Sequence, residues 1–219
     1  MFITFEGIEG CGKTTQIKRL AKTLKGYGIP FVRTLEPGGT GIGKSIRKIL
    51  LDSRNRDLFP LAELILYAGD RAQHVEEIIR PALDQGKWVL CDRFFDATVA
   101  YQGFARGQDM ELIGTLNKEV TRGIRPDITF LLDCSPELGL ARALKRNRAL
   151  TLEGQDRFER EELDFHRDVR RGYLEIARND PERFEIVDAA LTEGDVEREI
   201  FRILRPHLEG LKPDREDGF

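Results

Sequence analysis

Gly7-Ile8-Glu9-Gly10-Cys11-Gly12-Lys13-Thr14 sets four residues between two glycines and follows the second with Lys-Thr. Phosphate-binding loops use that spacing when a strand precedes it and a helix follows. Here Phe2-Ile3-Thr4-Phe5 reads as a short buried strand, and Ile17, Leu20, Ala21 and Leu24 recur at helical spacing. Glycines at such a turn let backbone N–H groups and the positive end of a helix approach a polyphosphate. Lys13 is placed to reach the terminal phosphates and the Thr14 hydroxyl to ligate a magnesium ion. The predicted ATP-binding set is Gly7, Ile8, Glu9, Gly10, Cys11, Gly12, Lys13, Thr14 and Thr15.

A second centre follows in Val89-Leu90-Cys91-Asp92-Arg93-Phe94, an apolar run ending in an acid and a base. An acid at the carboxyl end of a neighbouring strand is placed to hold magnesium beside Thr14. Arg93 is placed to clamp a second phosphate, because guanidinium forks match phosphate oxygens. Tyr67 and Arg71 lie four apart on one helical face, beside an apolar stripe of Leu61, Leu64, Ile65, Ala68, Ala72, Val75 and Ile79.

Strand-like and helical segments alternate along the chain. Strands are expected at 2–5, 31–34, 88–91, 128–132 and 184–187. Helices are expected near 13–27, 41–51, 60–84, 109–121, 136–147, 156–178 and 193–208. The strands are short and mostly apolar, as when helices cover both faces of a parallel sheet. The expected fold is α/β: a three-layer P-loop NTPase fold with a five-stranded parallel sheet flanked by helices. One domain is expected over residues 1–211, with a flexible polar tail at 212–219.

The formal net charge of -3 argues against a broad nucleic-acid-binding face. Anionic ligands must therefore be gripped locally, by placed arginines. Cys11, Cys91 and Cys134 show no zinc or disulfide spacing, which suits a reducing interior. There is no signal-peptide pattern, and no apolar run approaches the ~20 residues a bilayer span needs. A cytoplasmic protein without a membrane partner is expected.

Asp92-Arg93-Phe94 followed by Ala100-Tyr101-Gln102-Gly103 resembles a signature of thymidylate kinases. Glu36-Pro37-Gly38-Gly39-Thr40 resembles a second signature of that family, and Leu66 to His74 a third. The motifs stand in the family's order and spacing, and the resemblance runs from about residue 1 to about residue 208. It implies ATP + dTMP to ADP + dTDP with magnesium, in dTTP biosynthesis, by a homodimer. It makes Tyr67 the platform that stacks on thymine and Arg71 the donor to its O4. Thr98 becomes a polar contact to the base and Tyr101 the ring beside the sugar 2′ position, with Gln102 as neighbour. Glu9 matches the loop acid that bonds the sugar 3′-hydroxyl. Glu36, Pro37, Arg47 and Arg93 complete the expected dTMP site.

Two departures matter. The phosphate loop holds no arginine, which by resemblance sends the catalytic arginine to a lid at about 142–157. Arg146, Arg148 and Arg157 are all candidates, because the chain there is several residues longer than the usual form. Leu35 stands where the family's second motif carries arginine, so that charge is either absent here or supplied elsewhere, with Arg33 and Arg47 as candidates. His74, His166 and His207 read as surface or packing residues, since a phosphate acceptor is already ionised and needs no strong base. A kinase for another nucleoside monophosphate or a nucleoside, or a nucleotide-driven switch, are the competing readings.

Overall fold

The apolar runs form five strands: β1 Phe2–Glu6, β2 Phe31–Leu35, β3 Trp88–Asp92, β4 Ile128–Asp133 and β5 Phe184–Asp188. The structure is a computed structural model describing residues 1–150 and 157–209, the side chains of 148–150 excepted. All strand pairs are parallel, in the order β2-β3-β1-β4-β5. Each strand ends one residue beyond its apolar run. The added residues are Glu6, Leu35, Asp92, Asp133 and Asp188, so four carboxylates stand along the carboxyl edge of the sheet. Ligands of open α/β sheets bind at that edge.

The helices are α1 Lys13–Gly26, α2 Gly41–Leu51, α3 Pro60–His74, α4 Arg80–Asp84, α5 Phe95–Thr98, α6 Met110–Thr121, α7 Pro136–Leu150, α8 Leu163–Asn179 and, after the last strand, α9 Glu193–Glu209. The pleat divides the core. Ile3, Phe5, Trp88 and Leu90 cluster with Ile17, Leu20 and Leu24 of α1 and Val196, Ile200 and Leu204 of α9. Phe2, Val89 and Cys91 cluster with Val75, Ile79, Ala82 and Phe94 on the other face.

Three expectations need correction. Leu61 and Ile65 are exposed, at 40% and 53%, so they do not belong to the buried face of α3. That face instead carries Glu63, Leu64, Ala68, Asp70, Arg71 and His74, four of the six ionisable. A helical segment over 95–105 was not anticipated: α5 runs on as a π-helical stretch, Val99–Ala105. Five-residue spacing there breaks the 3.6-residue pattern by which helices are read. The last long crossover starts at Leu163 rather than 156, after a turn at 157–160. The predicted tail, 212–219, and residues 151–156 of the expected lid lie outside the described residues.

Candidate active site

The phosphate loop joins β1 to α1, and its turn demands glycine where the chain crosses α7. Gly10 has φ +71, and a Cβ there would stand 1.9 Å from the carbonyl oxygen of Gly139. A Cβ on Gly139 would in turn meet the Glu9 carbonyl oxygen at 2.5 Å. Two glycines thus allow loop and helix backbones to touch. Lys13 folds over the loop, donating from Nζ to the carbonyls of Gly7 at 3.0 Å and Ile8 at 2.8 Å. Thr14 is exposed, and its hydroxyl donates to Asp92 Oδ2 at 2.7 Å. The two predicted metal ligands are therefore adjacent. Thr15, next on α1, is half-buried.

Arg93 follows β3 with φ +70, a left-handed conformation rarely held by residues with side chains. Its own N–H donates to Phe5 O, and the next N–H, of Phe94, donates to Glu6 Oε1 at 2.7 Å. The guanidinium donates to Tyr173 OH at 2.9 Å, and to Glu9 Oε1 and Tyr101 OH at 3.0 Å each. Tyr101 also donates to Glu9 Oε1 at 2.5 Å, and Tyr173 to Glu6 Oε2 at 2.7 Å. Two carboxylates and two phenols thus aim one arginine. Burial on its own would raise the Glu9 pKa, but His166, Arg93, Lys13 and Tyr101 hold the carboxyl well below its usual range. Glu6 goes the other way: burial, then Asp96, pushes it up to about 8.

Arg71 is 1% exposed and has a carboxylate partner as well as neutral ones. It donates to Glu36 Oε2 and Asn117 Oδ1 at 2.8 Å each, to Thr98 Oγ1 at 2.9 Å and to Phe94 O at 3.3 Å. Glu36 Oε1 lies 2.8 Å from His74 Nδ1, while His74 Nε2 lies 2.5 Å from Thr34 Oγ1. This spacing suits an Nδ1–H donor toward Glu36 and a hydroxyl donor toward Nε2. Glu36 thus spends both oxygens orienting Arg71 and His74, and Pro37 follows it through a cis peptide.

Arg47 donates to Pro37 O at 2.8 Å and is influenced by Tyr67, Asp92, Arg93 and Asp70. Arg33 is exposed on β2. Of the two arginines able to replace the charge missing at Leu35, only Arg47 reaches this group. The half-buried Tyr67 has its hydroxyl pKa raised by burial and by Glu63, against the pull of Arg157, Arg93 and Arg47. Gln102 donates to Glu63 Oε1 at 2.7 Å, so it braces α3.

The lid arginines separate. Arg157 is 7% exposed, donating to Leu50 O at 2.6 Å and to Glu63 Oε2 at 2.5 Å, with its guanidinium 4.6 Å from the Phe158 ring centroid. Arg146 is half exposed on α7 and meets Asn147 and Glu159. The Arg148 side chain lies outside the described residues.

Sequence reasoning missed several site-supporting groups: Glu6, Glu63, Asp70, Asn117, Tyr173 and His166. Asp70 is nearly sealed from solvent, accepts from Gly38 N at 3.0 Å, and is pushed up to about 6 by burial and by Glu36. The reading of His74 and His166 needs correction too, since both are wholly buried against loop carboxylates, whereas His207 is exposed. The signal available was position for His74, which lies within the motif Leu66 to His74; His166, on α8, lay in no motif. Among the described residues, no helix is long and apolar enough to cross a membrane, and no group of three His, Cys, Asp or Glu forms a metal site.

A Gly-Lys-Thr loop after the first strand, with Arg93 following the neighbouring strand on the same edge of a parallel sheet, defines a P-loop kinase. Comparison with known proteins narrows the class. A family model described as thymidylate kinase matches residues 5–200. A thymidylate kinase of Desulfosudis oleivorans is 57% identical over 190 residues, covering 86% of this chain and 89% of the relative. One from Citrifermentans bemidjiense is 51% identical over 213 residues, covering 96% and 93%. The crystal structure of thymidylate kinase from Ehrlichia chaffeensis superposes with a TM-score of 0.75 at 35% identity, covering 93% of this chain and 98% of that one. The chain belongs to the thymidylate kinase family.

Proposed function

We propose that this site passes the terminal phosphoryl group of ATP to the phosphate of dTMP, forming dTDP for dTTP synthesis. The observation that carries the reading is Arg93, whose guanidinium is held by Glu9 of the phosphate loop together with Tyr101 and Tyr173. Lys13 and the loop N–H groups hold the donor phosphates. Arg93 and Arg47 hold the acceptor phosphate, so that one of its oxygens faces the transferring group in line. That oxygen is ionised at neutral pH, and no general base is required.

Tyr67 provides the stacking face for thymine, and Arg71 with Thr98 the polar edge. Tyr101 fills the space beside the sugar and Glu9 takes its 3′-hydroxyl. Glu36, Pro37 and Gln102 act by bracing this site rather than by charge on the substrate. Arg146 and Arg148 are the lid arginines that close over the transferred group; Arg157 anchors the lid's end.

Magnesium fits the donor set, because Thr14 and Asp92 offer two adjacent hard oxygens and phosphates supply the rest. Bound there, it would neutralise charge on the ATP phosphates.

A homodimer is supported by apolar surface on two packed helices: Ile42 and Ile49 of α2, and Leu61 and Ile65 of α3, are 40–57% exposed, with Phe59 beside them at 70%. All three cysteines are free thiols, which fits a cytoplasmic compartment.

ADP formation with dTMP, dUMP, AMP, CMP and thymidine as acceptors, in magnesium and in excess chelator, tests the reading. Strong dTMP-dependent turnover is expected, lost with chelator and lowered about a hundredfold or more in Lys13→Ala. Preference for AMP, or hydrolysis without acceptor, would overturn it.

A further inference from the structure

His166, on the first turn of α8, is fully buried, and neither ring nitrogen has a hydrogen-bond partner among the described residues. Glu9 Oε2 is likewise buried and without one. The two face each other, with His166 Nδ1 3.3 Å from Glu9 Oε2. Phe165 meets the imidazole edge-on, at 5.5 Å between ring centroids. Buried polar atoms are rarely left unpaired, because losing water without a replacement bond is costly. A shift of a few tenths of an ångström makes this pair a charge-assisted hydrogen bond. A packing role needs only ring volume, which phenylalanine supplies.

The other Glu9 oxygen, Oε1, has a different duty. It accepts from Arg93 and Tyr101, the residues that meet the acceptor's phosphate and sugar. When Arg93 turns to a phosphate, Oε1 loses a cation inside a buried site. The carboxylate then depends on Oε2 to keep its place.

We propose that His166 is a positioning residue for the acceptor sugar: its Nδ1–H fixes Glu9 Oε2 and so aims Oε1 at the 3′-hydroxyl. The inference rests on the reading of Glu9 as partner of that hydroxyl. It adds α8, outside every motif quoted for the dTMP site, to the groups that select the substrate.

The test is steady-state kcat and KM with dTMP and with 3′-deoxy-dTMP, for the wild type, His166→Phe, His166→Gln and Glu9→Gln. His166→Phe should raise KM for dTMP about tenfold, as expected for one hydrogen bond to a charged group. KM for 3′-deoxy-dTMP should change less than about twofold, because that substrate lacks the hydroxyl. His166→Gln retains an N–H donor and should recover most of the loss. Equal effects on both substrates, or no effect, would overturn the role of His166 while Glu9→Gln still discriminates between them. If Glu9→Gln also fails to discriminate, the sugar reading itself falls and takes the inference with it. Nitrogen NMR of the wild-type imidazole with dTMP bound needs no variant to fold: Nδ1–H supports the proposal, and an Nε2–H tautomer contradicts it.

Discussion

Glu9 of the phosphate loop accepts a 3.0 Å hydrogen bond from Arg93 at the end of β3. The donor-side loop and the acceptor-side arginine are therefore one electrostatic unit before any substrate arrives. The pair is 12% and 16% exposed at the side chains, so solvent screens it only partly. On the proposed reading, acceptor binding would exchange partners rather than create new charge: phosphate would replace Glu9 on Arg93, and a hydroxyl would replace Arg93 on Glu9.

Glu6 gives a pH signature. Its folded pKa of about 8 stands above the ordinary 4.5. Between those values the folded chain keeps a proton that the unfolded chain has lost. The contribution to stability is thus fully present below pH 4.5 and is lost as pH rises through 8. Asp70 and Asp96 shift in the same direction, so only a difference isolates Glu6. Thermal midpoints of wild type and Glu6→Gln, followed from pH 6 to 9, should diverge, with the variant's curve the flatter. Parallel curves would refute the assignment.

Arg157 tests structure against catalysis. Its pair with Glu63 is nearly sealed, at 7% and 1% side-chain exposure. Removing one member of such a pair leaves a buried charge and costs about 3–5 kcal/mol. Arg157→Met should therefore lower the melting temperature by about 10 °C, on the scaling for a chain of this size. A large fall in kcat with an unchanged melting temperature would instead make Arg157 the lid's catalytic arginine.

The apolar surface of α2 and α3 predicts an oligomeric state. Ile65 is 53% exposed on that face. Light scattering should give a dimer for the wild type and a monomer for Ile65→Asp, since a charge placed inside an apolar interface goes unpaired. A monomeric wild type would remove the homodimer from the account.

The sheet and the loop were legible because their signals are local. Five apolar runs gave five strands, and Gly-Lys-Thr after the first of them marked the loop that joins β1 to α1. The stretch 95–105 was not, because π-helical spacing hides its period. The inner face of α3 misled for another reason. Apolar Leu61 and Ile65 look like core, yet Glu63, Asp70, Arg71 and His74 are buried, because each meets a partner far along the chain. Pairs such as Glu36 with Arg71, or Glu9 with His166, are products of topology that no spacing rule encodes.

The central claim is that Arg93 binds the acceptor phosphate through its forked guanidinium, and Arg93→Lys tests it most directly. Lysine keeps the charge but loses the fork that meets Glu9, Tyr101 and Tyr173 together. The value of kcat/KM for dTMP should fall about a hundredfold, while KM for ATP stays within about twofold. A kcat/KM for dTMP within about threefold of wild type, or an equal loss on the ATP side, would contradict the account.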